Sequence, residues 1–348
     1  MISASVSDFQ DRVDAARGSN PSSPLDLGIP ITERVLRRLP GPRWVLIALW
    51  AEIVLATPFA LAGAKRVFGP GAALDGVGEL ASQAVLSYVV AVLLFGVARL
   101  VDQASALGPD VELLTVRRTD LVTARRLDAA GPIVLSAGVV LVTAARSWSM
   151  NGVIPTIVVL PFLALAVVPV MTFVWTYIRL LVGLDRLGRF RLALQPFPQD
   201  RSLGLGAIGS LAFSGFVLLV AAAVPTLLAT TGNPTTFAIA LVTLGVNIPI
   251  FFRSMWRLHG QMSGAKARYV RDARALYADA YAPLRTEPSQ AMLRTQAPVL
   301  DAARALEERA EQIQVWPIAD GLIAIIGFIV AGVASGVVVR FIAIAAHL

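Results

Sequence analysis

Four residues in this sequence set polar chemistry or a backbone interruption inside apolar surroundings: Glu52, Gln83, Asn247 and Pro249. Glu52 stands nine residues beyond Arg43 and thirteen before Lys65, in a run that is otherwise apolar. A carboxyl group at mid-depth in hydrocarbon is costly, and marks a permeation pathway, a proton relay or a buried partner. In its neutral form it can donate one interhelical hydrogen bond, for which Gln83, Tyr88 and Asn247 are the available acceptors. Pro249 lacks a backbone donor and frees a carbonyl one turn earlier, while Asn247 brings a carboxamide to the same place. A broken helix and a carboxamide can jointly coordinate a permeating ion, as helix breaks do in transporters and channels. Pro155, Pro161, Pro169 and Pro225 interrupt other apolar runs, where plain kinks account for them.

These residues lie on seven apolar stretches: Trp44 to Gly63, Leu80 to Leu100, Ala130 to Ala145, Val153 to Tyr177, Leu205 to Ala229, Pro234 to Phe252 and Ile318 to Ile344. Most reach the roughly 17 to 25 residues that a hydrocarbon core about 30 Å thick demands of a helix. The third is short and begins at Gly131 and Pro132, yet the charge pattern beyond it requires it to span. The expected fold is an all-α polytopic membrane protein with about seven transmembrane helices and a cytoplasmic antiparallel helical hairpin between the sixth and seventh. The corresponding regions are a cytoplasmic tail (1–43), helices one to six (44–252), the hairpin (253–316), and the seventh helix with a short external C-terminus (317–348).

Orientation follows from the positive charges. With the N-terminus inside, all of the 30 Lys and Arg except Lys65, Arg66, Arg146 and Arg340 fall on the cytoplasmic side, as positive loops should. The odd span count then places His347 and Leu348 outside. The net charge of +7 reflects arginine-rich cytoplasmic loops and attraction to anionic lipid, so nucleic acid is not an expected partner. The preference for Arg over Lys, with abundant Ala, Val and Leu, suggests a bacterial inner membrane.

Outside the apolar runs, two patterns are readable. Ile31 to Leu39 sets Val35, Leu36 and Leu39 against Glu33, Arg34, Arg37 and Arg38, the pattern of an amphipathic helix on the inner leaflet that Pro40, Gly41 and Pro42 would end. Between Arg253 and Trp316, the steps Tyr269, Ala273, Leu276, Ala280 and Val299, Ala303, Leu306, Ala310, Ile313 place two stripes at helical spacing around a break at Pro283 to Pro288. The first arm continues the sixth span through Gly260 and Gly264, and the second re-enters at Trp316 and Pro317. Lys266, Arg268, Arg271 and Arg274 on one arm and Glu307, Glu308 and Glu311 on the other can pair with each other. Small residues at Gly206, Ser210 and Ser214, and at Gly332 and Gly336, suit close helix contact within a subunit or between copies.

The sequence offers no sign of an enzyme. It lacks the P-loop, zinc-protease, serine-hydrolase and dinucleotide signatures. With no Cys and two His it has no thiolate ligand or nucleophile, and His259 and His347 are expected on opposite sides of the membrane, so no cofactor and no metal site is expected. The reading that uses Glu52, Gln83, Asn247 and Pro249 is a homo-oligomeric channel or ion-conducting pore with the hairpin as cytoplasmic vestibule. The alternatives are a noncatalytic sensor or scaffold that binds a cytoplasmic protein through the hairpin, and a secondary transporter.

Overall fold

The computed structural model describes residues 29–57, 59, 76–114, 130–151, 153–190, 192, 194, 201–229, 234–286, 289–317, 327 and 331. They form eight helices and no strand: α1 (Ile31–Arg38), α2 (Arg43–Leu55), α3 (Gly76–Leu114), α4 (Ala130–Asn151), α5 (Val153–Leu187), α6 (Gly206–Ala229), α7 (Pro234–Thr286) and α8 (Gln290–Glu311). Among the described residues, four stretches are long and apolar enough to cross a bilayer: Gln83–Leu107, Ala130–Ser149, Thr156–Leu187 and Gly206–Thr226. This build is consistent with a multi-pass helical membrane protein. Residues 1–28, the loop Arg117 to Arg126, and the seventh apolar stretch with Gly332 and Gly336 lie outside the described residues, save 327 and 331.

The chain divides into two compact units, of which the first comprises Met1–Glu112, Arg117–Leu184 and Leu211–Phe252. Helix α1 forms where the amphipathic pattern predicts it, but with a different face inward. Thr32, Glu33 and Leu36 are buried, whereas Val35 and Leu39 are exposed. Ion pairing makes the burial of Glu33 tolerable. Its Oε1 accepts from Arg37 Nε at 2.7 Å and from Arg43 Nη2 at 2.8 Å, and Arg43 Nη1 reaches Asp102 Oδ2 at 2.9 Å. The bond from Glu33 holds the Arg37 guanidinium above its usual pKa.

Helix α2 buries Ile47, Ala51 and Val54 in a cluster with Leu36, Val90, Leu94 and Ala166. Two polar bonds fix its position: Ser87 Oγ donates to the Ala51 carbonyl at 2.8 Å, and Trp50 Nε1 donates to the Leu165 carbonyl at 2.8 Å. The second bond has a cause in the sequence. Pro169 has no N–H for the carbonyl one turn earlier, which is that of Leu165, and the indole supplies the missing donor.

The short third apolar stretch lies on a helix of 22 residues, long and apolar enough to cross a bilayer. A single residue separates α4 from α5, and Thr156 Oγ1 donates to Ser147 Oγ at 3.2 Å beside that turn. At the far end a side chain on Gly131 would collide with the Trp175 ring, so glycine is what lets the two helices close. Contacts at both ends make α4 and α5 antiparallel over most of α4. Half of the apolar stretch of α3 and 56% of that of α6 are buried, against 11% for α4, so α3 and α6 are covered on more sides than α4. Phe173, Phe216 and Phe251 are all fully buried, with Phe216 and Phe251 ring centroids 5.1 Å apart.

The second unit comprises Leu113–Val116, Asp185–Ser210 and Arg253–Leu348. Helix α7 has 53 residues, about 80 Å at 1.5 Å per residue, so it continues well past any bilayer crossing. Ser289 caps the N-terminus of α8, its side chain accepting from the Met292 N–H. Arg274 Nε meets Glu307 Oε1 at 2.6 Å, and Lys266 Nζ donates to the carbonyls of Glu311 and Ile313 at 2.6 and 3.0 Å. The lysine thus satisfies carbonyls at the negative end of α8. The seam between the two helices is narrower than the sequence pattern implies. Ala273, Ala280, Ala303, Ala310 and Ile313 are buried, whereas Leu276, Val299 and Leu306 of the same stripes are exposed.

In the same unit, the segment after α5 is held to α7 by side chains. Gln261 Nε2 donates to the carbonyls of Gly188 and Phe190 at 2.6 and 2.7 Å, and its Oε1 accepts from Leu192 N–H at 3.4 Å. Tyr269 donates its hydroxyl to the Leu194 carbonyl at 2.7 Å. Burial raises the Tyr269 pKa, which keeps that proton in place for donation.

Candidate intramembrane site

Glu52 projects from the exposed side of α2. Its neighbours Ala51 and Val54 are buried, while Leu49 and Ile53 share the outer side with it at 56% and 38% exposure. Helical spacing explains this arrangement: positions 47, 51 and 54 form one face, and 49, 52, 53 and 56 form the other. Among the described residues its carboxylate has no hydrogen bond and no ion pair, so the bonds to Gln83, Tyr88 or Asn247 expected from sequence are not made. Tyr88 is itself 48% exposed.

Gln83 is half-buried on α3, one turn before Ser87, which binds α2 at Ala51. Its Oε1 is buried without a partner. Asn247 is 6% exposed on α7, and its carboxamide comes within reach of the Tyr177 hydroxyl. Among the described residues, neither that hydroxyl nor Asn247 Nδ2 has a hydrogen-bond partner. Two polar atoms are thus left unsatisfied in an apolar interior, a costly arrangement that natural structures seldom leave in place.

Pro249 corrects one expectation. Helix α7 passes through Asn247 and Pro249 without a break, and Pro249 is exposed. The proline ring is accommodated on the outer face of a long helix, so Asn247 is a buried side chain within a turn rather than the end of a broken helix. Only three of the four candidates have side-chain polar groups, and these are spread over α2, α3 and α7.

The close helix contacts fall at positions the sequence did not single out. A side chain on Gly215 would come within 2.7 Å of the Tyr177 ring, and one on Gly96 within 2.9 Å of Leu218 and 3.1 Å of Phe173. Gly215 thereby seats Tyr177, whose ring stacks on Phe173 at 6.1 Å. Of the predicted packing residues, Gly206 abuts Ser202, Ser214 is half-buried and Ser210 is exposed. The available signal for Gly215 was its place next to Ser214 on an apolar helix; Tyr177 offered none, since a single tyrosine at a span end reads as an interfacial anchor.

Among the described residues no three His, Asp or Glu side chains gather as a metal site would require. The fold and site define a helical, multi-span membrane protein with unsatisfied polar groups in its apolar part. No family model matches this chain, and neither a curated protein nor a solved structure matches it.

Proposed function

We propose that this chain is a homo-oligomeric, ion-conducting protein of the bacterial inner membrane, with seven transmembrane helices and a cytoplasmic N-terminus. In this reading α7 and α8 form a helical hairpin that surrounds the cytoplasmic entrance. The observation that carries the proposal is the exposed, unpartnered carboxyl of Glu52 midway along an apolar stretch. Lipid is a poor environment for that group, whereas a water-filled path or a second copy of the chain accommodates it. Exposed Val299 and Leu306, seven residues apart on one face of α8, favour assembly around an axis outside the hydrocarbon.

A second reading, a noncatalytic scaffold that binds a protein partner, is favoured by Tyr277 and Tyr281, exposed rings stacked 6.0 Å apart on α7. The experiment that separates the two readings is ion flux through purified protein in sealed liposomes, under voltage and pH gradients. A pore predicts flux whose selectivity or pH dependence changes in Glu52→Gln while assembly is intact. A scaffold predicts no flux, together with loss of partner binding when Ser263 to Gln314 is deleted.

A further inference from the structure

We propose that Arg189, Arg253 and Arg257 form a seat for the phosphate of an anionic phospholipid at the membrane interface. Arg253 and Arg257 lie one turn apart on α7, and Asp185 and Arg189 are separated by the same interval at the end of α5. Asp185 Oδ2 takes Arg189 Nη2 at 2.6 Å and its Oδ1 takes Arg257 Nε at 3.0 Å. Arg253 lies within electrostatic reach of the same carboxylate but forms no ion pair among the described residues. One carboxylate thus holds two guanidinium groups with the third, Arg253, one helical turn from Arg257, which leaves two positive charges uncompensated in one place.

Those charges are accessible. Arg189 and Arg257 side chains are 60% and 42% exposed, and Arg253 is exposed as well. Depth follows from the helix itself. Arg253 is nineteen residues beyond Pro234, about 28 Å of helix, close to the thickness of a hydrocarbon core. Trp256, 58% exposed, stands between Arg253 and Arg257 in sequence and faces outward with them, as an interfacial aromatic does beside a headgroup. Guanidinium forks match phosphate oxygens in pairs, and a phosphodiester supplies a negative charge that a zwitterionic headgroup offsets with its own ammonium. The acyl chains would occupy the adjoining apolar layer. This assignment is independent of conduction by the protein.

The test uses the full chain reconstituted in phosphatidylcholine vesicles with a trace of spin-labelled phosphatidylglycerol or spin-labelled phosphatidylcholine. The reading is the preference of the motionally restricted fraction for the anionic lipid. Arg253→Gln with Arg257→Gln should lower that preference about fivefold, less than the full attraction of two interfacial arginines because both are solvated. Asp185→Asn, which removes the competing carboxylate, should raise it about twofold by the same electrostatic logic. Arg268→Gln with Arg271→Gln, further along α7, should leave it unchanged. Should the first double variant not fold, Arg189→Gln reads the same seat. An unchanged preference in the seat variants, an equal loss in the distal pair, or a fall in Asp185→Asn would overturn the proposal. So would erasure of the wild-type preference by inorganic phosphate at matched ionic strength, which would make the ligand a free anion.

Discussion

Among the described residues, every buried side-chain polar atom without a partner lies in the first unit, beside bonded side chains such as Trp50 and Ser87, and none lies in the second. In the second, Gln261 bonds three backbone groups, Lys266 two, and Tyr269 one. In the first, Tyr177, Asn247 and Gln83 bury polar atoms without partners, and Glu52 is exposed on an apolar helix. A satisfied polar group holds a fold together, while an unsatisfied one costs stability and persists where something else selects it. The polar side chains described in the second unit act as a framework, whereas the first unit combines such bonds with unsatisfied groups.

The contrast between bonded and unbonded polar groups can be broken by mutation, starting with the bonded ones, Gln261 in the second unit and Trp50 in the first. Gln261→Leu strands the carbonyls of Gly188 and Phe190 and should destabilise the protein by about 2 kcal/mol, read as a lower unfolding midpoint in detergent. An unchanged midpoint would mean that water replaces the glutamine and the framework reading is wrong. Trp50→Phe should cost about 1 kcal/mol, since the Leu165 carbonyl loses its only compensation for Pro169. The same substitution in a Pro169→Ala background, where a backbone N–H returns, should cost clearly less. Equal costs in both backgrounds would separate the indole from the proline.

The smallest effect lies on the other side of the comparison. Tyr177→Phe removes a hydroxyl without a bond and should leave stability unchanged or raise it by up to about 1 kcal/mol. A loss as large as that of Gln261→Leu would show that the Tyr177 hydroxyl is satisfied and erase the distinction between bonded and unbonded groups.

Much of this architecture could be read from residue patterns. Of the seven apolar stretches expected to span, four coincide with helices that are long and apolar enough among the described residues, including the short one at Ala130, and amphipathic spacing located α1. The continuation of the sixth apolar stretch through Gly260 and Gly264 is present in α7 as one helix. What could not be read were contacts between distant segments. Glu33 is a surface residue by type, and beside the local bond from Arg37 its burial depends on Arg43, which folding places between Glu33 and Asp102. The hydrogen bond from Trp50 to Leu165 spans 115 positions, and no local pattern announces it. The alanine seam of α7 and α8 was hidden because larger residues on the same stripes, Leu276 and Leu306, dominate the hydrophobic signal yet stay outside. The break expected at Pro249 failed because a proline on an exposed face can be absorbed by a long helix. Glu52 was conspicuous in sequence, but its outward direction depends on which face of α2 meets α3.

The central claim is that Glu52 faces water rather than lipid. The chain has no cysteine, so Glu52→Cys introduces a single thiol with no background. In sealed vesicles containing the assembled protein, a membrane-impermeant, charged thiosulfonate should modify that thiol at a rate comparable to an exposed site at the end of α8. Modification only by a lipid-soluble maleimide would place position 52 against acyl chains and contradict the account.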